Sequence, residues 1–325
     1  MKHASIISRG AFAAALLSVT LFVSAIRPVR AQVLVARGTR PGKHFDQVLI
    51  VVLENQNYSS AIQDPLLADL AKHGSVFPQF QNLTHPSYPN YLAMVSGSTC
   101  NADGSDSQKN FPDDAEHRTI ADLLSWRNYA ENYPAKPTEN APYLGDAVKY
   151  ARKHVPFLSF EKIQKESFHN VVSVDTKTGN PFVPDISKFR EDPRSNPLPQ
   201  YIYYSPNLDD DGHDPYMRPK KGMRKASTWL RNFLTTWLAF DENTWLPSDP
   251  KMNRLLVIVT FDETEGRNTG NLYTVFLGSM VKTGEINKVY DHYSVLRTIV
   301  DNFGLDPIHK DSGDGKASVI TEVWK

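Results

Sequence analysis

The chain has 325 residues, 40% hydrophobic and 22% charged, with 36 basic against 36 acidic side chains and one cysteine, Cys100. That is the composition of a globular protein able to bury a sizeable core. It excludes an internal disulfide, and the lack of any basic stripe argues against a nucleic-acid partner.

Lys2 and Arg9 precede a mainly apolar run from Ala11 to Ile26, and Val29-Arg30-Ala31 forms a small-x-small pattern before Gln32. The run is short for a membrane span, so residues 1–31 read as a secretory signal peptide rather than an uncleaved anchor. The expected location is secreted or periplasmic, after cleavage near Ala31. Lys2, Arg9, Arg27 and Arg30 would leave with the peptide, so 32 basic groups remain against 36 acidic ones. The mature chain shows no further apolar segment of transmembrane character and no signal for an oligomeric state.

From Phe45 the sequence Phe-Asp-Gln-Val-Leu-Ile-Val-Val-Leu is apolar on both faces, which fits a central parallel strand, and it stops at Glu54-Asn55. A helix is expected around Asp64 to His73, then a short apolar piece from Val76 to Phe80. Tyr88, Tyr91, Leu92 and Val95 recur at helical spacing. Pro89 sits where a first turn tolerates proline, and Gly97 is a stop, so Ser87 stands at the mouth of a short helix. A serine there is often only an N-cap. The same position suits a nucleophile, because the helix end favours an incoming phosphate by roughly 0.3 to 2 kcal/mol.

Residues 99 to 116 read as a polar loop. Thr119-Ile-Ala-Asp122 has capping-box spacing ahead of Leu123, Leu124 and Trp126, so a helix is expected there. Another helical stretch carries Tyr150, Lys153 and His154 into Pro156. Asn170 to Val174 and Tyr201 to Tyr204 are strand candidates separated by a Pro-rich segment, 181 to 199. After the acidic cluster Asn207 to Asp214, a long helix is expected from about Lys221 to Phe240. Leu255 to Phe261 is the second strong central strand and ends in Asp262-Glu263. Leu272 to Leu277 is a strand, and Tyr290-Asp-His292 opens a helix that Gly304 terminates. The rhythm is α/β, one domain from residue 32 to 325 with loop insertions.

Both strong strands thus finish in adjacent side chains able to bind a cation, and in open parallel sheets ligands gather beyond the carboxyl ends of strands. Joined by Asp209, Asp211, His213, His292 and Ser87, these oxygen and imidazole groups suit zinc, manganese, iron or calcium. Asn207, Asp209, Asp211 and Gly212 also match the first positions of a calcium loop, although Arg218 stands where the bidentate glutamate belongs.

Taken together, Leu-Glu54-Asn55, Thr-His85-Pro-Ser87-x-Pro-Asn90-Tyr, Lys153-His154-x-Pro-Phe157, Pro-Asn207-x-x-Asp210-Asp211-x-His213-Asp214 and Thr-x-Asp262-Glu263 resemble the phosphoesterase family of acid phosphatases and bacterial phospholipases C. That family lies within the alkaline phosphatase superfamily. The resemblance runs in order from about residue 44 to 305. It implies an alkaline-phosphatase-like three-layer sandwich, a mainly parallel sheet with helices on both faces. It also implies a metal held by Glu54, Asn55, Ser87 and Asp262 with Glu263 beside them, and Ser87 as the group that is phosphorylated. By the wider superfamily's pattern, Asp209, His213 and His292 build a second metal position, giving one or two divalent ions per chain. Two departures stand out: Glu54-Asn55 where the superfamily generally has one Asp, and Glu263 in place of a His.

No histidine adjoins Ser87 in the manner of a hydrolase triad, so coordination to a cation is expected to stand in for a general base. Water attacking the phosphoserine completes the cycle. His85 and His154 are candidates for holding the phosphate or protonating the leaving oxygen, and Asn90 for a hydrogen bond to it. The expected activity on a phosphate ester is that of an acid-phosphatase-type phosphomonoesterase. The alternatives are a phospholipase C or other phosphodiesterase on the same site, and a secreted calcium-stabilised binding protein without turnover. The first is preferred because no residues after 325 supply the extra domains of many phospholipases C, and no amphipathic face for interfacial docking is evident.

Overall fold

Burial on both faces is what the two apolar runs demand, and a computed structural model of the chain places them side by side at the centre of a sheet. The structure describes Met1 and residues 41–134, 140–174, 180–191, 193–194, 196–213, 219–266 and 270–325. The signal-peptide reading lies outside these residues. Contacts separate Met1–Val35 from Ala36–Lys325, and the sheet and its helices belong to the second unit.

Among the described residues the central sheet has eight strands: β1 (Gln47–Leu53), β2 (Ser75–Val76), β3 (Trp126–Glu131), β4 (Val171–Val174), β5 (Tyr201–Ser205), β6 (Leu255–Phe261), β7 (Thr274–Leu277) and β8 (Gly284–Glu285). Their order is β8-β2-β7-β6-β1-β5-β3-β4. The five strands from β6 to β4 run parallel, while β7 is antiparallel to both β6 and β2. The helices that matter for the site are α1 (Pro65–His73), α2 (Ser87–Ser96), α3 (Phe182–Glu191), α4 (Pro219–Asn232) and α5 (His292–Asn302).

Alternation along β5 distributes these helices over both faces of the sheet. Tyr201 and Tyr203 point to α2, with hydroxyls 3.0 Å from the Met94 carbonyl and 3.6 Å from its sulfur. Tyr204 points the other way, its ring 5.7 Å from Trp229 of α4 and 4.7 Å from Phe233. The expected α/β layering is therefore present.

Where the elements differ from expectation, the reasons are local. Thr119 and Asp122 do form a capping box, but it opens a single turn, Ile120–Asp122, before β3. That strand is hidden in sequence because Asn128 and Glu131 are polar residues that the fold buries; Asn128 Nδ2 donates to Ser205 Oγ at 3.1 Å and Tyr203 O at 3.4 Å, while its Oδ1 accepts no hydrogen bond among the described residues. The stretch before Pro156 shrinks to the turn Arg152–His154, since a proline disfavours helix at the residue before it. The segment from 181, read from sequence only as Pro-rich, contains α3, which tolerates Pro184 because it falls within the first turn. The helix expected to reach Phe240 ends as α4 at Asn232 and passes into a wide turn, Phe233–Trp237.

Candidate active site

Register builds the centre of the site. Leu53 of β1 pairs with Phe261 of β6, so Glu54-Asn55 and Asp262-Glu263 leave the sheet together. The Asp262 N–H donates to Leu53 O at 3.0 Å, and Asp262 Oδ1 accepts the Asn55 N–H at 3.0 Å. Asn55 adopts a left-handed φ of 54°, a conformation asparagine tolerates better than most residues, and this turns its N–H toward Asp262. Glu54, Asp262 and Glu263 are buried.

Helix α2 brings Ser87 to the same place. It begins at Ser87 and ends at Gly97, whose φ of 72° closes it. The Ser87 hydroxyl is buried and donates to Glu263 Oε1 at 3.0 Å, while Glu263 Oε2 lies 2.8 Å from His85 Nδ1. Sequence alone offered Ser87 no base; the fold supplies a carboxylate. Asn90 is placed one turn along the helix, but its amide is taken up by the chain. Oδ1 accepts the N–H groups of Leu83 and Thr84 at 2.9 and 3.3 Å, and Nδ2 donates to Thr84 O at 2.8 Å. It anchors the loop before Ser87, in place of the expected bond to a leaving oxygen.

A third arm comes from the turn Arg152–His154. His154 Nε2 lies 2.7 Å from Glu54 Oε1, Nδ1 lies 4.0 Å from Asp211 Oδ2, and the ring stacks on Tyr91 at 4.9 Å. Lys153 Nζ stands 3.2 Å from Glu54 Oε1 and 3.1 Å from Asp106 Oδ2, and Asp106 Oδ1 accepts the Tyr88 N–H at 3.0 Å. Sequence gives Lys153 no role beyond its place in the motif Lys153-His154-x-Pro-Phe157, and it does not single out Asp106. Lys153 adjoins a named histidine, which is a usable signal; Asp106 is one of several acidic residues in a polar loop, and nothing local distinguishes it.

The segment after β5 divides its acidic residues. Asn207 Oδ1 accepts the Asp209 N–H at 2.8 Å, and Gly212 turns the chain with a φ of 92°. Asp211 is buried against the site, whereas Asp209 faces outward to Lys149 at 2.7 Å and Lys225 at 3.3 Å. His213 is exposed, and its N–H donates to Asp211 Oδ1. His292 is buried with Nε2 2.7 Å from the Asp262 carbonyl, and burial pushes its imidazole down to about 4, so it is a neutral pin on that backbone. Asp209, His213 and His292 therefore do not converge as the expected second metal position. The calcium-loop geometry is also not assembled, since Asp209 points to lysines and the Asn207 side-chain amide donates to Glu131 Oε2 at 3.0 Å.

The electrostatics of the cluster are those of a site short of positive charge. Burial alone would raise the Glu54 carboxyl, but His154 and Lys153 hold it well below the usual range. Its neighbours go the other way: burial, reinforced by the Glu54 charge, pushes Asp211 up to about 6 and Glu263 up to about 8, and raises Asp262 well above the carboxylate range. Among the described residues, Asn55 Oδ1, Asp211 Oδ2 and Asp262 Oδ2 are buried oxygens that accept no hydrogen bond. Each such orphan costs about 1–3 kcal/mol, and a cation is the partner that would satisfy oxygens alone. Glu54, His154 and Asp211 also offer ligand atoms all within 4.8 Å of one another. The donor set fits a divalent metal.

Glu131, at the end of β3, holds this arrangement from below. It accepts from Tyr204 Oη and Trp229 Nε1 at 3.0 Å and from both the backbone and side chain of Asn207, and burial pushes it up to about 7. A carboxyl raised in the fold contributes stability below its unfolded value of 4.5 that is lost as pH rises through about 7. The loss is roughly 3 kcal/mol at about 1.4 kcal/mol per unit. The melting temperature of the metal-free protein should fall between pH 5 and 8, and Glu131→Gln should flatten that fall. An equal fall in the variant would remove Glu131 as a cause.

Comparison with known proteins points one way. The Phosphoesterase family model matches residues 53–306. A probable acid phosphatase of Kluyveromyces lactis is 32% identical over 87% of this chain and 63% of that protein, so this chain spans less than two thirds of that relative. A phosphatidylinositol-3-phosphatase of Mycobacterium tuberculosis is 30% identical over 86% of this chain and 83% of that protein. The solved structure of an alkaline phosphatase superfamily protein from Vibrio parahaemolyticus superposes with a TM-score of 0.51 at 14% identity, over 84% of this chain and 70% of that one.

Proposed function

The chain belongs to the Phosphoesterase family, hydrolases of phosphoric esters with an alkaline-phosphatase-type fold, and from that premise we propose that it is an exported, metal-dependent phosphomonoesterase working through a phosphoserine at Ser87. The observation that carries this reading is the buried Ser87 hydroxyl at the mouth of α2, bonded to Glu263 and set among the carboxyl ends of β1 and β6. The names of the two sequence relatives, an acid phosphatase and a phosphoinositide phosphatase, favour a monoester over a diester.

In its ionised form, which a cation bound alongside would favour, Glu263 takes the Ser87 hydroxyl proton along the 3.0 Å hydrogen bond as Ser87 attacks phosphorus, and the bond from phosphorus to the leaving oxygen breaks, that oxygen drawing its proton from water. His85, at the other Glu263 oxygen, keeps that carboxylate aimed. Lys153 adds a fixed positive charge; burial disfavours its ammonium, but Glu54 and Asp106 more than offset this and hold it charged. Glu54, Asn55 and Asp262, with Asp211 and His154 alongside, would hold the cation. When bound, a divalent metal neutralises charge on the phosphoryl oxygens and stabilises the Ser87 oxygen as an anion. Water then attacks the phosphoserine, and Ser87 recovers its proton as inorganic phosphate leaves.

Purified protein offered p-nitrophenyl phosphate, its bis-ester and phosphatidylcholine should turn over the monoester far faster than either diester. A preference for a diester would move the assignment to a phosphodiesterase. Export follows from the reading of residues 1–31, and the secreted form should begin at or near Gln32 on N-terminal sequencing. Full-length chain recovered with membranes would point to an anchor instead.

A further inference from the structure

A phosphoryl group attacked by Ser87 must sit against the Ser87 hydroxyl, and its oxygens need hydrogen-bond donors or cations at that place. Two donors stand there. One is the N–H of Tyr88, the second residue of α2 and one of the groups that a helix start leaves unpaired. The other is Lys153 Nζ, which Glu54 Oε1 holds from the inner side at 3.2 Å. Both are occupied by a single carboxylate: Asp106 Oδ1 accepts the Tyr88 N–H at 3.0 Å, and Asp106 Oδ2 accepts from Lys153 Nζ at 3.1 Å.

A carboxylate with one oxygen on a helix N–H and the other on an ammonium makes the contacts that two phosphoryl oxygens would make. The two anions cannot hold these donors together. Asp106 has room to withdraw: its side chain is 44% exposed, and Asp103, Gly104 and Ser107 around it are exposed too. The loop is anchored further off, at buried Ala102 and where the Lys109 N–H donates to Tyr88 Oη at 3.1 Å. An outward turn of the carboxylate therefore leaves the core undisturbed. We propose that Asp106 occupies the phosphoryl seat of the free protein and is displaced by the incoming phosphate, so that this carboxylate sets how tightly the site holds phosphate. The proposal rests on the phosphomonoesterase reading of Ser87.

The test is calorimetric titration of the metal-loaded protein with inorganic phosphate. Asp106→Ala opens both donors, so phosphate should bind about tenfold more tightly than to the wild type, the worth of one charge-assisted hydrogen bond. Asp106→Asn loses the charge but keeps an oxygen for the Tyr88 N–H, so its gain should be smaller. A bystander charge predicts equal gains in the two variants, and a carboxylate that only positions Lys153 predicts unchanged or weaker binding. Either result would overturn the proposal, as would phosphate binding to none of the three proteins. Melting temperatures check that the variants fold; should Asp106→Ala not do so, Asp106→Ser, too short to span both donors, takes its place. Inhibition of p-nitrophenyl phosphate turnover by inorganic phosphate should sharpen in the same order. If no monoester is hydrolysed while phosphate still binds in that order, the phosphomonoesterase reading fails and the seat stands.

Discussion

Ser87→Ala should lose about four orders of magnitude or more in kcat on p-nitrophenyl phosphate, because it removes the oxygen that forms the covalent bond. Each factor of ten is about 1.4 kcal/mol of barrier, so the loss is at least about 5.5 kcal/mol. The fold should survive. Alanine is a good helix former at the first position of α2, and the side chain loses only its hydrogen bond to Glu263, which at about 1–3 kcal/mol is far less than the catalytic effect. The alternative role, a serine that merely starts a helix, predicts the reverse: a small drop in melting temperature with turnover nearly intact. Rapid quenching of the wild-type enzyme should also leave phosphate on the peptide that carries Ser87. A Ser87→Ala enzyme retaining a tenth of its activity would place the nucleophile elsewhere.

Asp262→Asn should be the second silent enzyme, and its stability should separate metal binding from folding. Asparagine keeps the acceptor for the Asn55 N–H but replaces the unpartnered Oδ2 and removes a charge that burial, Glu54 and Glu263 all disfavour. In metal-free protein near neutral pH the variant should therefore be as stable as the wild type or more so. A divalent cation at a hundred times its Kd should stabilise the wild type by about 2.7 kcal/mol and the variant by much less. Dialysis against a chelator should likewise abolish wild-type turnover, and one divalent ion should restore it. Full activity after chelation, or an Asp262→Asn enzyme that still hydrolyses, would sink the metal assignment.

The Glu131 carboxylate shows how a buried polar group hides from sequence-level reading. It sits in a strand with Arg127 and Asn128, and three polar residues among six are the pattern of an exposed segment unless their partners are known. Those partners, Tyr204, Asn207 and Trp229, lie 73 to 98 residues away. The pairing of Lys153 with Asp106 is hidden for the same reason, since the two are 47 residues apart and joined only in the fold.

What the sequence determined by itself was everything carried by short-range order. The uniform apolar runs of β1 and β6 require burial on both faces, hence a layered α/β fold, and the helical spacing after Ser87, closed by Gly97, sets that serine at a helix mouth. Each strong strand ends in two potential ligands, and this too is written locally. The tertiary structure decided which of these groups meet. Parallel register from Gln47↔Leu255 to Leu53↔Phe261 joined the two strand ends, and the turn at Gly212 sent Asp211 inward and Asp209 out to its lysines. His154 reached Glu54 across 100 residues, while His292 and Asn90 were committed to backbone groups. A side chain's chemistry is a property of its residue, but its partner is set by hydrogen bonds and packing between segments far apart in the chain, and no local pattern encodes those distances.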